Sequence, residues 1–355
     1  MSERFLKPAL RGFAPYVPGR QPPDAEGWIK LNTNEAPWPP SPRVLDAIRR
    51  AVGEDLRLYP HPLAASAREA VARLHGLTPD QVALGNGADD LIAMCFRAFA
   101  PKGGQVAYLE PSYPLFGPLC RMYEVEPSVH ALGPAWEMPD SFAADPAPLK
   151  FLVNPNSPTA SWVDRETVRE VVRRSSGVVV LDEAYVDFAP AACIDLLAEG
   201  WGNLVVLRTF SKAYALAGMR IGYAAAPAGL ISALDLVKDS YNVDRLAIAA
   251  AVAAVEDRDY HDRLVAYVVQ ERAWLGDRLT EIGFGVGPSA TNFVFARPPQ
   301  DRDAAWLVDE LSRRRILVRH FGQGPAAGWV RITVGTREQH LRLLEALEEV
   351  MAGDG

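Results

Sequence analysis

Apolar residues follow two different periods along this chain, and the change from one to the other divides it. Between about residue 81 and residue 226 they come in short, uninterrupted runs. Gln81–Phe99 reads QVALGNGADDLIAMCFRAF, which predicts a short strand, a glycine-bounded turn and an apolar, buried helix, and Gln105–Leu109 predicts the next strand. Val178–Leu181 is VVVL, mostly β-branched and preceded by Gly177, and LVVL at Leu204–Leu207 repeats it. Strands buried on both faces of a parallel sheet read this way, because neither face alternates with water. After Asn242 the period becomes that of amphipathic helices, at about 245–255 and 260–282. Alternating apolar positions at Asn292–Phe295, a helix near 303–314, strands at Ile316–Arg319 and Trp329–Val334 and a closing helix complete the pattern. Residues 1 to 40 are rich in proline and almost aperiodic, so they predict an extended arm, with a helix from about Pro42 to Val52 after it. The expected fold class is α/β. An arm at 1–40 joins the small domain, a large domain with a mostly parallel sheet spans 41–244, and a smaller α+β domain spans 245–355.

Polar residues collect at the ends of the buried runs, which is where ligands bind in open α/β sheets. Asp182 stands at the carboxyl end of VVVL, and the second run delivers Thr209, Ser211 and Lys212 beyond the same edge. The chain has six lysines among 37 basic residues, so a lysine at a strand end is a rare choice. A desolvated amine there sheds its proton readily and becomes a nucleophile suited to Schiff-base chemistry. Arg220, between Gly218 and Gly222, offers a fixed guanidinium that suits a phosphate. The GNG turn ahead of the helix at 88 points backbone N–H groups at an anion.

This constellation resembles the fold-type I enzymes that use pyridoxal 5′-phosphate, and among them the class II aminotransferase group that contains histidinol-phosphate aminotransferase. The group's S-K-A-[FY]-x-L-A-G-x-R-x-G-[FY] run stands here as SKAYALAGMRIGY, Ser211–Tyr223, and its D-E-A-Y as Asp182–Tyr185. The resemblance implies that Lys212 carries the cofactor. It further implies that Asp182 faces the pyridinium nitrogen and keeps the ring electron-poor, and that the Tyr185 hydroxyl lies near the phenolic oxygen. Gly87, Ala88 and Asp89 would form the phosphate cup, Thr209, Ser211 and Arg220 would also bind the cofactor, and Tyr113 in EPSYPLF would stack on the ring. Tyr59 in RLYPHP matches a tyrosine that reaches the neighbouring subunit's phosphate, which implies a homodimer with shared active sites.

For the substrate, the same resemblance singles out Tyr16 in PYVPGR, Asn34 in LNTNEAP, Arg331 in VRITVGT and Arg319 in ILVRHF. Arg331 matches the bidentate clamp for a carboxylate, and Arg319 matches a second arginine that a phosphate ester justifies. One loop departs from the group's N-P-x-N-P-T-G. In LVNPNSPTAS, Ser157 replaces the asparagine that bonds the phenolic oxygen and Ala160 replaces the glycine, so the role falls to Ser157 or to a neighbour, Asn156 or Asn154.

Composition acts mainly by exclusion. The chain has 355 residues, 49% hydrophobic and 23% charged, enough for one large and one small domain. A net charge of -7 and a pI near 5.5 speak against nucleic acid, and Arg313–Arg315 reads as a solvated helix end. Cys95, Cys120 and Cys193 lie far apart in apolar company, as reduced core residues rather than disulfides or metal ligands. With no apolar run of membrane-spanning length and no signal-like start, the expected location is the cytoplasm. The expected activity is transfer of an amino group between a small-molecule donor and a keto acceptor, glutamate and imidazole acetol phosphate in histidine biosynthesis. Three other readings stay open: an aminotransferase for aromatic or other amino acids, a threonine-phosphate decarboxylase-like enzyme, and a transcriptional regulator, which would need a DNA-binding segment ahead of Tyr16.

Overall fold

A computed structural model describes residues 3–13, 17–22, 27–299 and 302–352. The arm contributes strand β1 (Ile29–Lys30). Seven further strands, β2 (Val82–Gly85), β3 (Gln105–Glu110), β4 (Glu126–Ala131), β5 (Leu149–Val153), β6 (Val178–Asp182), β7 (Leu204–Thr209) and β8 (Gly222–Ala225), form one sheet in the order β2-β8-β7-β6-β5-β3-β4. All neighbours are parallel except β8, which runs against both β2 and β7. Every residue of β5 and β7 is buried, as the uninterrupted apolar runs require. One face of the sheet packs against helices Ala65–His75, Arg165–Arg174 and Arg245–Glu256, and the other against Ala88–Phe99 and Ala228–Val237.

The remaining strands are β9 (Gly285–Val286), β10 (Phe293–Arg297), β11 (Ile316–Leu317), β12 (Arg319–His320) and β13 (Val330–Thr333). Four of them form an antiparallel sheet in the order β12-β13-β10-β9, while β11 pairs in parallel with β1 of the arm. The single strand expected at Ile316–Arg319 is thus two, because Ile316 and Leu317 take the arm as partner and Arg319 and His320 take β13. Helix Arg245–Glu256, assigned from sequence to the C-terminal unit, buries Ala247, Ala250, Ala251 and Ala254 in the core of the large sheet. Its alanine-rich face allows that close approach, and the side chain of Asp244 caps it by accepting from the N–H groups of Leu246 and Ala247.

Parallel strands end on a common edge, so β5, β6 and β7 deliver Val153, Asp182 and Thr209 to the same place. β2 ends at that edge too, since two antiparallel pairings through β8 restore its direction; Gly222 of β8 lies opposite both Gly85 and Thr209.

Candidate active site

A cavity of about 220 Å³ opens at this edge, lined by Asp182, Tyr185, Thr209, Ser211, Lys212 and Arg220 together with Ala88, Asp89, Tyr113 and Ser157. It continues into a second space of about 300 Å³ that reaches Asn34, Arg319, Phe321 and Arg331. Five separate stretches of the sequence therefore converge on the first cavity, because the strands that precede them share an edge.

Asp182 closes the floor. It is 4% exposed, and among the described residues its carboxylate accepts from the N–H of Ala184 at 3.0 Å. Burial raises its carboxyl to about 7, against the opposing help of that N–H. A carboxyl so enclosed calls for a cation beside it. Lys212 Nζ lies 5.6 Å from the centre of the Tyr185 ring and donates at 3.4 Å to the carbonyl of Thr33. Tyr185 is held in turn: its hydroxyl accepts from Asn34 Nδ2 at 2.9 Å and its ring meets Phe293 edge-on. Asn34 has φ 56°, a left-handed conformation that asparagine tolerates, and Thr333 accepts from its N–H and donates to its side-chain oxygen.

The opposite end of the cavity is an anion cradle. Gly87 (φ 85°) precedes the helix Ala88–Phe99, whose first N–H groups have no partner within the helix. A Cβ on Gly87 would come within 2.5 Å of Arg220 Nη2, so glycine is what lets the guanidinium lie against the turn. Arg220 itself adopts φ 48° and is 3.5 Å from Asp89. Thr209 Oγ1 accepts from the N–H of Ser211 at 3.1 Å, which leaves its hydroxyl proton for a ligand. Tyr113 donates to Asp89 Oδ1 at 2.7 Å and stands edge-on to Phe116.

The sequence pattern of the family "Aminotransferase class I and II" matches residues 26–347. This chain belongs to that family. A histidinol-phosphate aminotransferase of Geotalea uraniireducens (strain Rf4) is 42% identical over 345 residues, 97% of this chain and 99% of the relative. Another, of Acetobacter pasteurianus, is 40% identical over 99% of each chain. The solved histidinol-phosphate aminotransferase of Sinorhizobium meliloti in complex with pyridoxal-5′-phosphate superposes with a TM-score of 0.85 at 31% identity, covering 92% of both chains. The fold is the fold-type I architecture of these enzymes.

In this aminotransferase the residues fit a pyridine ring that carries a phosphate: an enclosed carboxyl at one end, an N–H cradle with a guanidinium at the other, and a lysine between. Asn156 departs from expectation. Its amide donates to the carbonyl of Pro111 and to Thr159 Oγ1 and accepts from Ser112, so all of it is spent on bracing the loop, and it lines neither cavity. Ser157 does line them, and its Oγ accepts from Arg331 Nη1 at 3.0 Å. Asn154 is likewise occupied, with both ends of its amide on the backbone of Val163. Arg331 also donates to the carbonyl of Asn32, and its guanidinium lies over Phe293 and Phe321. Arg319 donates to the carbonyls of Val17 and Pro18 in the arm.

Tyr59 is not brought to the cavity of its own chain; it is 78% exposed and stacked on Tyr241 at 4.5 Å. Tyr16 lies outside the described residues. The site also contains residues that sequence reading passed over. Glu35 and Phe321 line the cavities, and the pair Glu183–Arg208 is buried directly behind Asp182 and Thr209. Glu183 was legible as the second letter of D-E-A-Y; Phe321 carried no signal beyond its place next to the β12 strand.

Proposed function

We propose that this aminotransferase exchanges an amino group between histidinol phosphate and 2-oxoglutarate, the histidinol-phosphate aminotransferase reaction of histidine biosynthesis, with pyridoxal 5′-phosphate as cofactor. The observation that carries this reading is the pair of guanidinium groups, Arg319 and Arg331, at the mouth of the cavity that Lys212 lines. One arginine can hold a carboxylate in bidentate fashion, whereas a phosphate monoester dianion has oxygens for two. Identity of 40–42% to histidinol-phosphate aminotransferases over almost the whole chain supports it.

When bound, the cofactor would supply an aldehyde that takes up the amino group and an electron-poor ring that draws the electrons. Asp182 would keep a cation opposite its carboxylate, and the Ala88 and Asp89 N–H groups, Thr209, Ser211 and Arg220 would hold the phosphate. Tyr113 would cover one ring face, and the Tyr185 and Ser157 hydroxyls would serve the phenolic oxygen. Lys212 Nζ moves the proton at the amine-bearing carbon of the substrate. Arg331 and Arg319 bind the phosphate of histidinol phosphate, and Arg331 the carboxylate of 2-oxoglutarate. A second copy of the chain completes the site: Tyr59 stacks on Tyr241, and both are exposed, as are Val52, Leu56 and Leu58 close to Tyr59 in the chain, apolar side chains suited to a symmetric interface.

The test is product formation from three amines, histidinol phosphate, an aromatic amino acid and threonine phosphate, in the presence of pyridoxal phosphate and 2-oxoglutarate. Imidazole acetol phosphate from histidinol phosphate is expected. Preferred turnover of an aromatic amino acid, or carbon dioxide release from threonine phosphate, would replace this reading.

A further inference from the structure

Glu183 follows Asp182 at the end of β6, and Arg208 precedes Thr209 at the end of β7. Successive side chains of a strand point to opposite faces. With Asp182 and Thr209 turned into the cavity, Glu183 and Arg208 turn away from it, and there they meet. Arg208 donates from Nε and Nη2 to Glu183 Oε2 at 2.9 and 2.8 Å, while the N–H of Cys193 donates to Oε1 at 2.6 Å. Both residues are buried, at 8% and 1% exposure.

The backbone explains what this pair can do that the sheet cannot. The last ladder bond between the two strands runs from the Glu183 N–H to the Leu207 carbonyl at 2.8 Å. Past it the chains part: one turns into the 3-10 helix Val186–Phe188, the other into the loop that carries Lys212. The side-chain pair spans the two strands where the backbone bridge stops. A neighbouring anchor serves the same loop, since Tyr214 accepts from Arg258 at 2.9 Å and packs against Phe210 and His261.

A buried ion pair adds little net stability, because desolvation consumes most of the attraction, yet its hydrogen bonds are directional. Its consequence is therefore geometric. We propose that Glu183 and Arg208 are positioning residues for the aminotransferase reaction: they fix Asp182 and Thr209 relative to each other, and hence set where the cofactor's ring nitrogen and phosphate lie against Lys212. This rests on the pyridoxal-phosphate reading above.

The test replaces the pair with apolar side chains of similar size, Glu183→Leu with Arg208→Met. Such a swap removes the pair's desolvation cost but takes the acceptor from the Cys193 N–H, a loss of about 1–3 kcal/mol, so the variant is expected to melt within about 10 °C of wild type. Its kcat is expected to fall about a hundredfold, the scale of a misplacement of about 1 Å, with KM for histidinol phosphate changed far less. Bound pyridoxal phosphate is expected to show a visible absorbance that titrates at a different pH. That titration uses no substrate, so it reports on the pair even in a chain that ignores histidinol phosphate. A folded double variant with wild-type kcat and an unchanged titration would overturn the proposal. Should it fail to fold, Arg208→Lys decides, because it keeps the charge and loses the two-nitrogen grip: altered absorbance at wild-type stability supports positioning, and wild-type absorbance or a second unfolded protein overturns it.

Discussion

Arg331 donates from Nη1 to Ser157 Oγ across 3.0 Å. The hydroxyl that stands in place of an asparagine is thus oriented by a charged donor and keeps its own proton for a partner in the cavity. An asparagine at 157 would present an amide that needs no such support. The substitution and the arginine form one arrangement.

If that arrangement matters, Ser157→Ala should lower kcat/KM for histidinol phosphate. A hydrogen bond to a charged group is worth about 1.5–3 kcal/mol, or roughly tenfold to a hundredfold. Steady-state kinetics check it, and an unchanged kcat/KM would show that Arg331 is organised without Ser157.

Lys212→Ala should abolish covalent capture of the cofactor while leaving the cradle of Gly87, Thr209 and Arg220 able to bind it. Borohydride treatment followed by peptide mass analysis is expected to place the adduct on the Lys212 peptide in wild type and nowhere in the variant. An adduct that persists on another lysine would move the catalytic role there.

Asp182 makes the cofactor-free protein sensitive to pH. Its carboxyl ionises near 3.8 when exposed and near 7 when folded, because burial opposes the charge. With the folded value raised, its contribution to stability is fully present below about 4, declines as pH rises and is lost above about 7. The gap corresponds to roughly 4 kcal/mol. Urea unfolding of the cofactor-free protein between pH 4 and 8 should show this decline, Asp182→Asn should remove it, and saturating cofactor should reduce it by supplying a cation. Parallel pH profiles for wild type and variant would refute the assignment.

Arg319→Ala should weaken histidinol phosphate more than glutamate. Arg319 is only half-buried, so the loss is expected at about 2 kcal/mol, or about thirtyfold in kcat/KM. Because its guanidinium also holds the carbonyls of Val17 and Pro18, limited proteolysis should find the arm cut faster. Equal losses for both amines would leave Arg319 a tether for the arm and nothing more.

What the sequence revealed and what it hid follow from how local each signal is. VVVL and LVVL announced buried strands, and the residues immediately after them, Asp182, Thr209 and Lys212, were legible because a strand end and an ionisable group are both local facts. Asn156 misled because its neighbours in the chain match a binding loop, whereas two of the three partners of its amide, Pro111 and Ser112, lie more than forty residues away. The split at Val318 was equally hidden, since a continuous apolar run does not say that two sheets will compete for it. Glu183–Arg208 joins two strands whose pairing had to be known first.

Strand β8 sits between the two halves of the phosphate cradle, with the turn after β2 on one side and Thr209 on the other. At about 4.8 Å per strand, it holds those halves roughly 10 Å apart, a gap that a phosphate and its hydrogen bonds can bridge. The spacer must also be narrow at its first residue. A Cβ on Gly222 would lie 3.1 Å from the Ala88 nitrogen and 2.9 Å from the Arg208 carbonyl oxygen, so any side chain there would push the Ala88 amide off its line. The reach of the anion site is thus set by a residue with no polar group of its own.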